Sequence, residues 1–427
     1  MDSSLALKYK KISTRVMITM IIMYIVMTGI GWTTVTLYAQ PIIEEWGILR
    51  SSFMLTVTLM SLGNTFMTIF FFGPINAKLG NKKQMLFPGI LIVISFIFFT
   101  FAQNLAMLYI GGILFGVGIS SLCYSMALTV FQTWGGQNLA TKMGFIQTLG
   151  SVSGIVCTTV FGYIINSIGW RPSWGLTLII HAVALAIMLV LYKGDPKDVG
   201  LKEYVDELSK QQTTAAGEDG AEAVVMEEDG LSRKEMLRTP NYFMLIIGFC
   251  MLGLIVYGVL GNLVLFASDF GFTEISGTML SVALITSAVF FTPGGRIADK
   301  LGSRWMVIIC MICSIISMVI LSRPAISLPV LVVAALLAGV AYDACLYVAG
   351  ISCREAFGAK EYNKKVGLVA GFDSLGVSFG PTVLTLFFDF GGGYAMGLYI
   401  YIVMAVICMI LIALGTRRAK VPGSAKA

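Results

Sequence analysis

Twelve apolar stretches divide this chain, each long enough to cross the hydrocarbon of a bilayer, and they constrain it more than any single residue does. A spanning helix needs about 20 mainly apolar residues. The stretches cover approximately 16 to 39, 52 to 74, 84 to 102, 105 to 131, 143 to 166 and 173 to 192, then 241 to 267, 276 to 295, 305 to 322, 327 to 353, 366 to 388 and 395 to 415. Hydrophobic residues make up 57% of the 427 and charged ones only 12%, half the charged share of an average soluble domain. The pattern predicts an all-α membrane protein.

Between the sixth and seventh stretches lies the one sizeable polar segment, 194 to 239, with Lys197, Asp198, Lys202 and Glu203 at its start and Glu227-Glu228-Asp229 near its end. It has too few apolar residues to fold alone and reads as a cytoplasmic tether. That gives an N-terminal six-helix bundle over 1–193, a linker over 194–239 and a C-terminal six-helix bundle over 240–427. Ser232-Arg233-Lys234-Glu235 carries a capping-box pattern and predicts a short helix before Pro240. With the N-terminus in the cytoplasm, only Arg50, Arg171 and Arg323 of the 29 basic residues fall on the outer side. The positive-inside rule then places both termini in the cytoplasm, in a plasma membrane such as a bacterial inner membrane. The basic N-terminus precedes an apolar run too long for a signal peptide, so it is expected to stay as helix 1.

Two polar junctions echo one another. Gly295-Arg296-Ile297-Ala298-Asp299-Lys300-Leu301-Gly302-Ser303-Arg304 matches Gly73-Pro74-Ile75-Asn76-Ala77-Lys78-Leu79-Gly80-Asn81-Lys82, 222 residues upstream. An offset near half the chain implies that one bundle of helices was duplicated in parallel topology. These stretches resemble the loops after helices 2 and 8 of the major facilitator superfamily, with its pattern Gly-x-x-x-Asp-Arg/Lys-x-Gly-x-Arg/Lys. The second copy fits throughout, and the first has Ala77 in place of the acid. The segments Gly31 to Gly47 and Glu235 to Phe243 are similar to the oxalate/formate antiporter and monocarboxylate transporter branch. The resemblance implies twelve helices in two pseudo-symmetric six-helix bundles, a central cavity, rocker-switch alternating access and small carboxylate substrates. It also implies gating roles for the loops, here Gly73, Lys78, Gly80 and Lys82, and Gly295, Arg296, Asp299, Lys300, Gly302 and Arg304. Helix 8, however, has no basic residue before Arg296, and helix 11 has Asp373 where a Lys is expected a few residues after Gly367. Either the carboxylate travels with a proton, or the solute is neutral or cationic.

Of 23 acidic residues, only Asp343 and Asp373 fall at membrane depth, roughly 16 and 12 Å from the inner helix ends at 1.5 Å per residue. A carboxylate there costs roughly 2.5 to 3.5 kcal/mol on insertion scales, which makes each a candidate for proton or substrate binding. The structural alternative is a hydrogen bond, from Ser374 or Ser378 to Asp373 and from Tyr347 to Asp343. Trp32, Thr33, Thr36, Tyr38, Asn64, Tyr124, Gln147, Tyr257, Asn262, Tyr342 and Tyr347 are candidate cavity-lining residues. Tyr163, Trp170, Trp174 and Tyr394 read as interfacial belts, and His181 as structural. The eight cysteines lie in or at the ends of apolar runs, which implies neither a disulfide framework nor a zinc site. No Walker loop or H-E-x-x-H occurs. A membrane-embedded enzyme would need convergent catalytic groups, and a transport-like receptor a larger soluble output domain. The expectation is a non-enzymatic secondary transporter, either proton-coupled or exchanging solutes, working as a monomer without cofactor or metal, whose partners are a small solute, a proton where coupling uses one, and lipid rather than nucleic acid.

Overall fold

A computed structural model describes residues 3–122, 124–134, 139–192, 194–208, 230–342, 344–358 and 360–419. The described residues are overwhelmingly helical, with no strand among them. The helices are α1 (Ser3–Tyr24), α2 (Ala39–Trp46), α3 (Arg50–Phe70), α4 (Phe72–Thr100), α5 (Leu105–Leu122), α6 (Tyr124–Thr133), α7 (Leu139–Ile168) and α8 (Trp170–Leu191), followed after the linker by α9 (Arg233–Met236), α10 (Pro240–Gly261), α11 (Leu263–Asp269), α12 (Ser276–Leu301), α13 (Ser303–Leu321), α14 (Leu328–Val340), α15 (Ala344–Phe357), α16 (Tyr362–Gly391) and α17 (Tyr394–Gly415). Ten spans among them are long and apolar enough to cross a membrane. The other two that the sequence predicts fall on α3 and on α14 followed by α15.

The chain forms two compact units. Unit 1 comprises Met1–Val35, Leu59–Thr158 and Ser167–Val225, and unit 2 comprises Thr36–Thr58, Thr159–Asn166 and Met226–Ala427. Residues 36–58 and 159–166, from the first half of the sequence, therefore pack within unit 2. Polar contacts there explain why: Thr58 Oγ1 donates to the Ser378 carbonyl at 2.7 Å, and the Thr159 and Ser281 hydroxyls lie 2.8 Å apart.

Apolar area supplies no driving force between helices in lipid, so close backbone approach must hold them together. A Cβ at Gly116 of α5 would stand 2.0 Å from the Met60 carbonyl oxygen of α3. A Cβ at Gly339 of α14 would stand 2.1 Å from that of Ala283 in α12. These are one crossing in two copies, offset by 223 residues. In unit 2, a Cβ at Gly376 or Gly380 of α16 would stand 2.0 or 2.5 Å from the Cys250 or Leu254 carbonyl oxygen of α10, whereas Gly367 and Gly371 face open space. Unit 1 adds an aromatic core, with Phe99 stacked on Trp174 at 4.7 Å and Phe96 edge-on to Phe115 at 5.5 Å. Trp170, Trp174 and Tyr394 are thus buried packing residues rather than belts; only Tyr163, 55% exposed, keeps the interfacial reading.

Several spans are less regular than their apolar pattern predicts. Helix 1 is α-helical to Tyr24, π-helical over Ile25–Trp32 and 3-10 over Val35–Tyr38. Helix 7 breaks at Asn262, between α10 and α11, and the expected gating loops are largely helical. Positions 73 to 83 lie within α4, because the turn comes earlier, at Phe71. In the second copy α12 runs through Gly295, Arg296, Asp299 and Lys300 to Leu301, and the chain turns only at Gly302, whose φ of +90° suits a residue without Cβ.

The linker is docked at both described ends. Leu201 and Val205 are buried, and Lys8 Nζ donates to the Val199 carbonyl at 2.7 Å. At the far end the predicted capping box of Ser232 and Glu235 is present. Gly230 pairs with Gly358, the Arg233 amide donates to Glu361 Oε2 at 2.8 Å, and buried Lys365 donates from Nζ to the carbonyls of Leu231, Phe357 and Gly358 at 3.2, 2.9 and 2.8 Å. The apolar residues that make docking possible are too few for a domain but enough for two anchors.

Gly339→Ala is expected to destabilise the protein by about 1–3 kcal/mol through overpacking, read as a lower melting temperature in detergent, with Gly367→Ala leaving it unchanged or slightly higher. The Lys364 side chain, and then the Arg233 amide, hold the Glu361 carboxyl below its ordinary range. A depressed folded-state value means that its contribution is present above about pH 4, the unfolded carboxylate range, and is lost as pH falls through the folded value. The protection factor of the Arg233 amide, which corrects for the intrinsic slowing of exchange in acid, should therefore fall on acidification, and Glu361→Gln should remove that fall.

Candidate functional site

Asp373 lies on α16 where that helix crosses α10. A Cβ on Gly253 would stand 2.5 Å from the Asp373 carbonyl oxygen and 3.0 Å from its Oδ1. The residue is 8% exposed, and Oδ1 has no hydrogen-bond partner among the described residues. The two serines that would have provided a structural explanation are committed elsewhere: Ser374 Oγ donates to the Ala370 carbonyl and Ser378 Oγ to that of Ser374, at 2.9 and 2.8 Å. Asp343, the second candidate, lies outside the described residues, as do the side chains of Tyr124, Gln147, Tyr347, Lys78 and Asp299 and the surroundings of Gly73 and Gly80.

The remaining candidates separate. In unit 1, Trp32 and Thr33 are half-buried at the end of the π-helical stretch, Thr33 bonded to the Gly29 carbonyl at 2.6 Å. Asn64 is half-buried, its backbone nitrogen facing Gly116. In unit 2, Tyr257 and Tyr342 are half-buried with ring centroids 5.1 Å apart, and Thr36 is half-buried with no partner for Oγ1 among the described residues. Tyr38 and Asn262 are completely buried and line no water-filled space in this conformation. Asn262 instead mends the break in helix 7: Nδ2 donates to the Gly258 and Pro381 carbonyls at 2.8 and 3.0 Å, and Oδ1 accepts from the Tyr394 hydroxyl at 3.3 Å. His181 is wholly buried, Nδ1 against the Thr177 carbonyl at 2.8 Å and its ring 4.3 Å from that of Phe96, an environment of packing.

The repeated junctions are held by side chains that the sequence reading assigned no role. Glu355 of α15 accepts from the Ser303 amide and hydroxyl at 2.9 and 2.6 Å, capping α13 from a distance. The same offset of 222 maps this pair onto Asn81 and Thr133, whose side chains bond at 3.2 Å. Where the first copy lacks an acid, one arrives from the linker: Asp195 Oδ1 accepts from Asn81 Nδ2 at 2.8 Å and from the Tyr192 hydroxyl at 2.7 Å. Around them Lys82, Arg296, Lys300 and Arg304 are exposed. The offset itself is the signal by which these partners are found.

Arg50, placed by sequence in an outer loop, opens α3 inside unit 2. Its guanidinium forms a two-point bond with Asp269, at 2.6 and 2.5 Å, and lies 3.9 Å over the Phe388 ring. Asp389 caps α3, accepting from the Arg50 and Ser51 amides at 3.2 and 2.8 Å.

Several solved transporter structures share this fold. A peptide transporter, POT, in complex with sulfate superposes with a TM-score of 0.70 at 12% identity, covering 94% of this chain and 93% of that one. The nucleoside transporter NupG gives 0.69 at 12%, covering 94% and 98%. A bacterial homologue of the human lysosomal transporter Spinster, in an inward-facing and unoccupied conformation, gives 0.66 at 15%, covering 95% and 97%. In sequence, Sugar transport protein 4 of Arabidopsis thaliana is 28% identical over 151 residues, 34% of this chain and 29% of that protein. The chain thus matches less than a third of the length of that curated relative. The profile of the Major Facilitator Superfamily matches residues 20–285 and 274–427, so this multi-pass, all-α chain belongs to that superfamily and has its fold.

Proposed function

We propose that the protein is a proton-coupled secondary transporter of a small organic solute, working by alternating access in the plasma membrane with both termini in the cytoplasm. The observation that carries the reading is the Asp373 carboxyl, buried with Oδ1 unpartnered among the described residues. Burying a lone ionised carboxylate costs several kcal/mol. Its serine neighbours spend their hydrogens on backbone carbonyls, so a proton is the partner that removes the charge. Binding that proton in one conformation and releasing it in another couples the site to the proton gradient, and Asp343 is proposed as a second carrier. The basic residues of the repeated junctions, with Asp299, then form the cytoplasmic latch, and the Asn81–Asp195 and Ser303–Glu355 bonds are its fixed points.

A small carboxylate is the first choice of substrate, on the likeness of residues 31–47 and 235–243 to the oxalate/formate and monocarboxylate branch. A proton moving with it takes the place of the basic residue missing from helices 8 and 11. A cationic solute paired with Asp373 is the second reading, favoured by that same absence. Thermal-shift screening of the purified protein against carboxylates, amines and sugars at two pH values separates them.

A one-unit pH gradient coupled to one proton supports about tenfold accumulation. In proteoliposomes, Asp373→Asn should abolish that accumulation and flatten the pH profile of uptake, while Ser374→Ala leaves both intact. An unchanged pH profile in both Asp373→Asn and Asp343→Asn would sink the proposal.

A further inference from the structure

The Arg50 guanidinium sits in a receptor assembled from residues far from it in sequence. Asp269 ends α11, Phe388 and Asp389 lie near the end of α16, and Tyr394 begins α17. Asp269 grips two guanidinium nitrogens, Phe388 lies beneath the plane at 3.9 Å, and the Tyr394 ring lies 5.6 Å away with its hydroxyl 3.3 Å from one nitrogen. Two-point carboxylate bonding and aromatic stacking together select a planar, delocalised cation over a compact ammonium. The Arg50 side chain is only 12% exposed in this setting and Asp269 only 29%.

The bond also fixes a helix. Asp389 holds the first two amides of α3, Arg50 fills the receptor, and two turns on the Thr58 hydroxyl meets the Ser378 carbonyl and the Thr382 hydroxyl, both at 2.7 Å. These contacts are polar, unlike the close backbone crossings elsewhere. The polar groups can leave and return, since water satisfies them as well, while Phe53 and Met54 of the same turns are buried beside them. From Thr58 to Leu59 the same helix passes from unit 2 to unit 1.

We propose that Asp269, Phe388, Asp389 and Tyr394 form a guanidinium-selective site, filled in this conformation by Arg50 itself, and that emptying it releases the first turns of α3. The role in transport rests on the alternating-access reading above. The site also extends inward: the Tyr394 hydroxyl that faces Arg50 donates to Asn262, whose amide holds the Pro381 carbonyl of α16, eight residues from Asp373.

The test uses full-length protein in lipid nanodiscs, where both faces meet the reagent. Ser51 is 7% exposed and uses only its amide in the cap, so Ser51→Cys reports undocking. Labelling of that cysteine by a polar maleimide, corrected for the parent protein, should be slow and rise about tenfold with Arg50→Ala, the factor for 1.4 kcal/mol of lost docking. Millimolar methylguanidinium should restore slow labelling in Arg50→Ala, and methylammonium at equal concentration should not. In Asp269→Asn the rate should rise as well, without rescue by methylguanidinium, which keeps the test decisive if Arg50→Ala fails to fold. Unchanged labelling in both variants, or equal rescue by methylammonium, would overturn the site. No solute or proton gradient enters this measurement, so its failure leaves the Asp373 reading standing, and loss of the Asp373 reading leaves this one.

Discussion

Where α10 meets α16, Gly253, Gly376 and Gly380 leave room for backbone to touch backbone: each would put a Cβ within 2.5 Å of a carbonyl oxygen on the other helix. Such contact is the main source of helix association in lipid, where burial of apolar side chains gains nothing over contact with acyl chains. The same crossing presses Asp373 against α10. The carboxyl therefore lies against the feature that stabilises the helix pair, with Oδ1 unpartnered among the described residues. Stability and an awkwardly placed acid have one cause, and the proton proposed for it would relieve the charge without disturbing the packing.

The spans, the duplication and the capping box were legible in the sequence because each rests on local pattern. Hydrophobicity over about 20 residues identifies a span, and a Ser three residues before a Glu closes its hydrogen bonds without tertiary help. The break at Asn262 was not legible, since an apolar run reads alike whether its backbone bonds are continuous or mended by a distant carbonyl such as that of Pro381. The π-helical turn of helix 1 has the same character. The junctions expected as loops are helical instead: the first turn comes earlier, at Phe71, and in the second only Gly302 has a positive φ.

Site residues divide along the same line. Depth singled out Asp373, because an acid in an apolar run is conspicuous. Arg50, Tyr394 and Glu355 looked ordinary, a basic residue, a belt aromatic and an acid near a span end, since what they do depends on partners 344, 132 and 52 residues away. The pairing of Ser303 with Glu355 was nevertheless accessible in principle: the repeat carries it onto Asn81 and Thr133.

The two halves have kept their packing and diverged in chemistry. The crossing of Gly116 with Met60 recurs as that of Gly339 with Ala283. At that offset of 223, Asp373 corresponds to Gly150, where a Cβ would already stand 3.0 Å from the Tyr24 ring. A carboxylate there would have to displace a buried aromatic residue. At the junctions the reverse substitution has occurred: Ala77 stands in place of an acid, and Asp195, from outside the repeat unit, bonds to Asn81. Duplication thus supplies a framework of backbone contacts that tolerates little change, since a methyl group has nowhere to go. Ionisable side chains sit where that framework leaves space, and α16 beside Gly253 has such space while α7 beside Tyr24 does not. The placing of the proposed proton site in one half of the molecule follows from that difference in room.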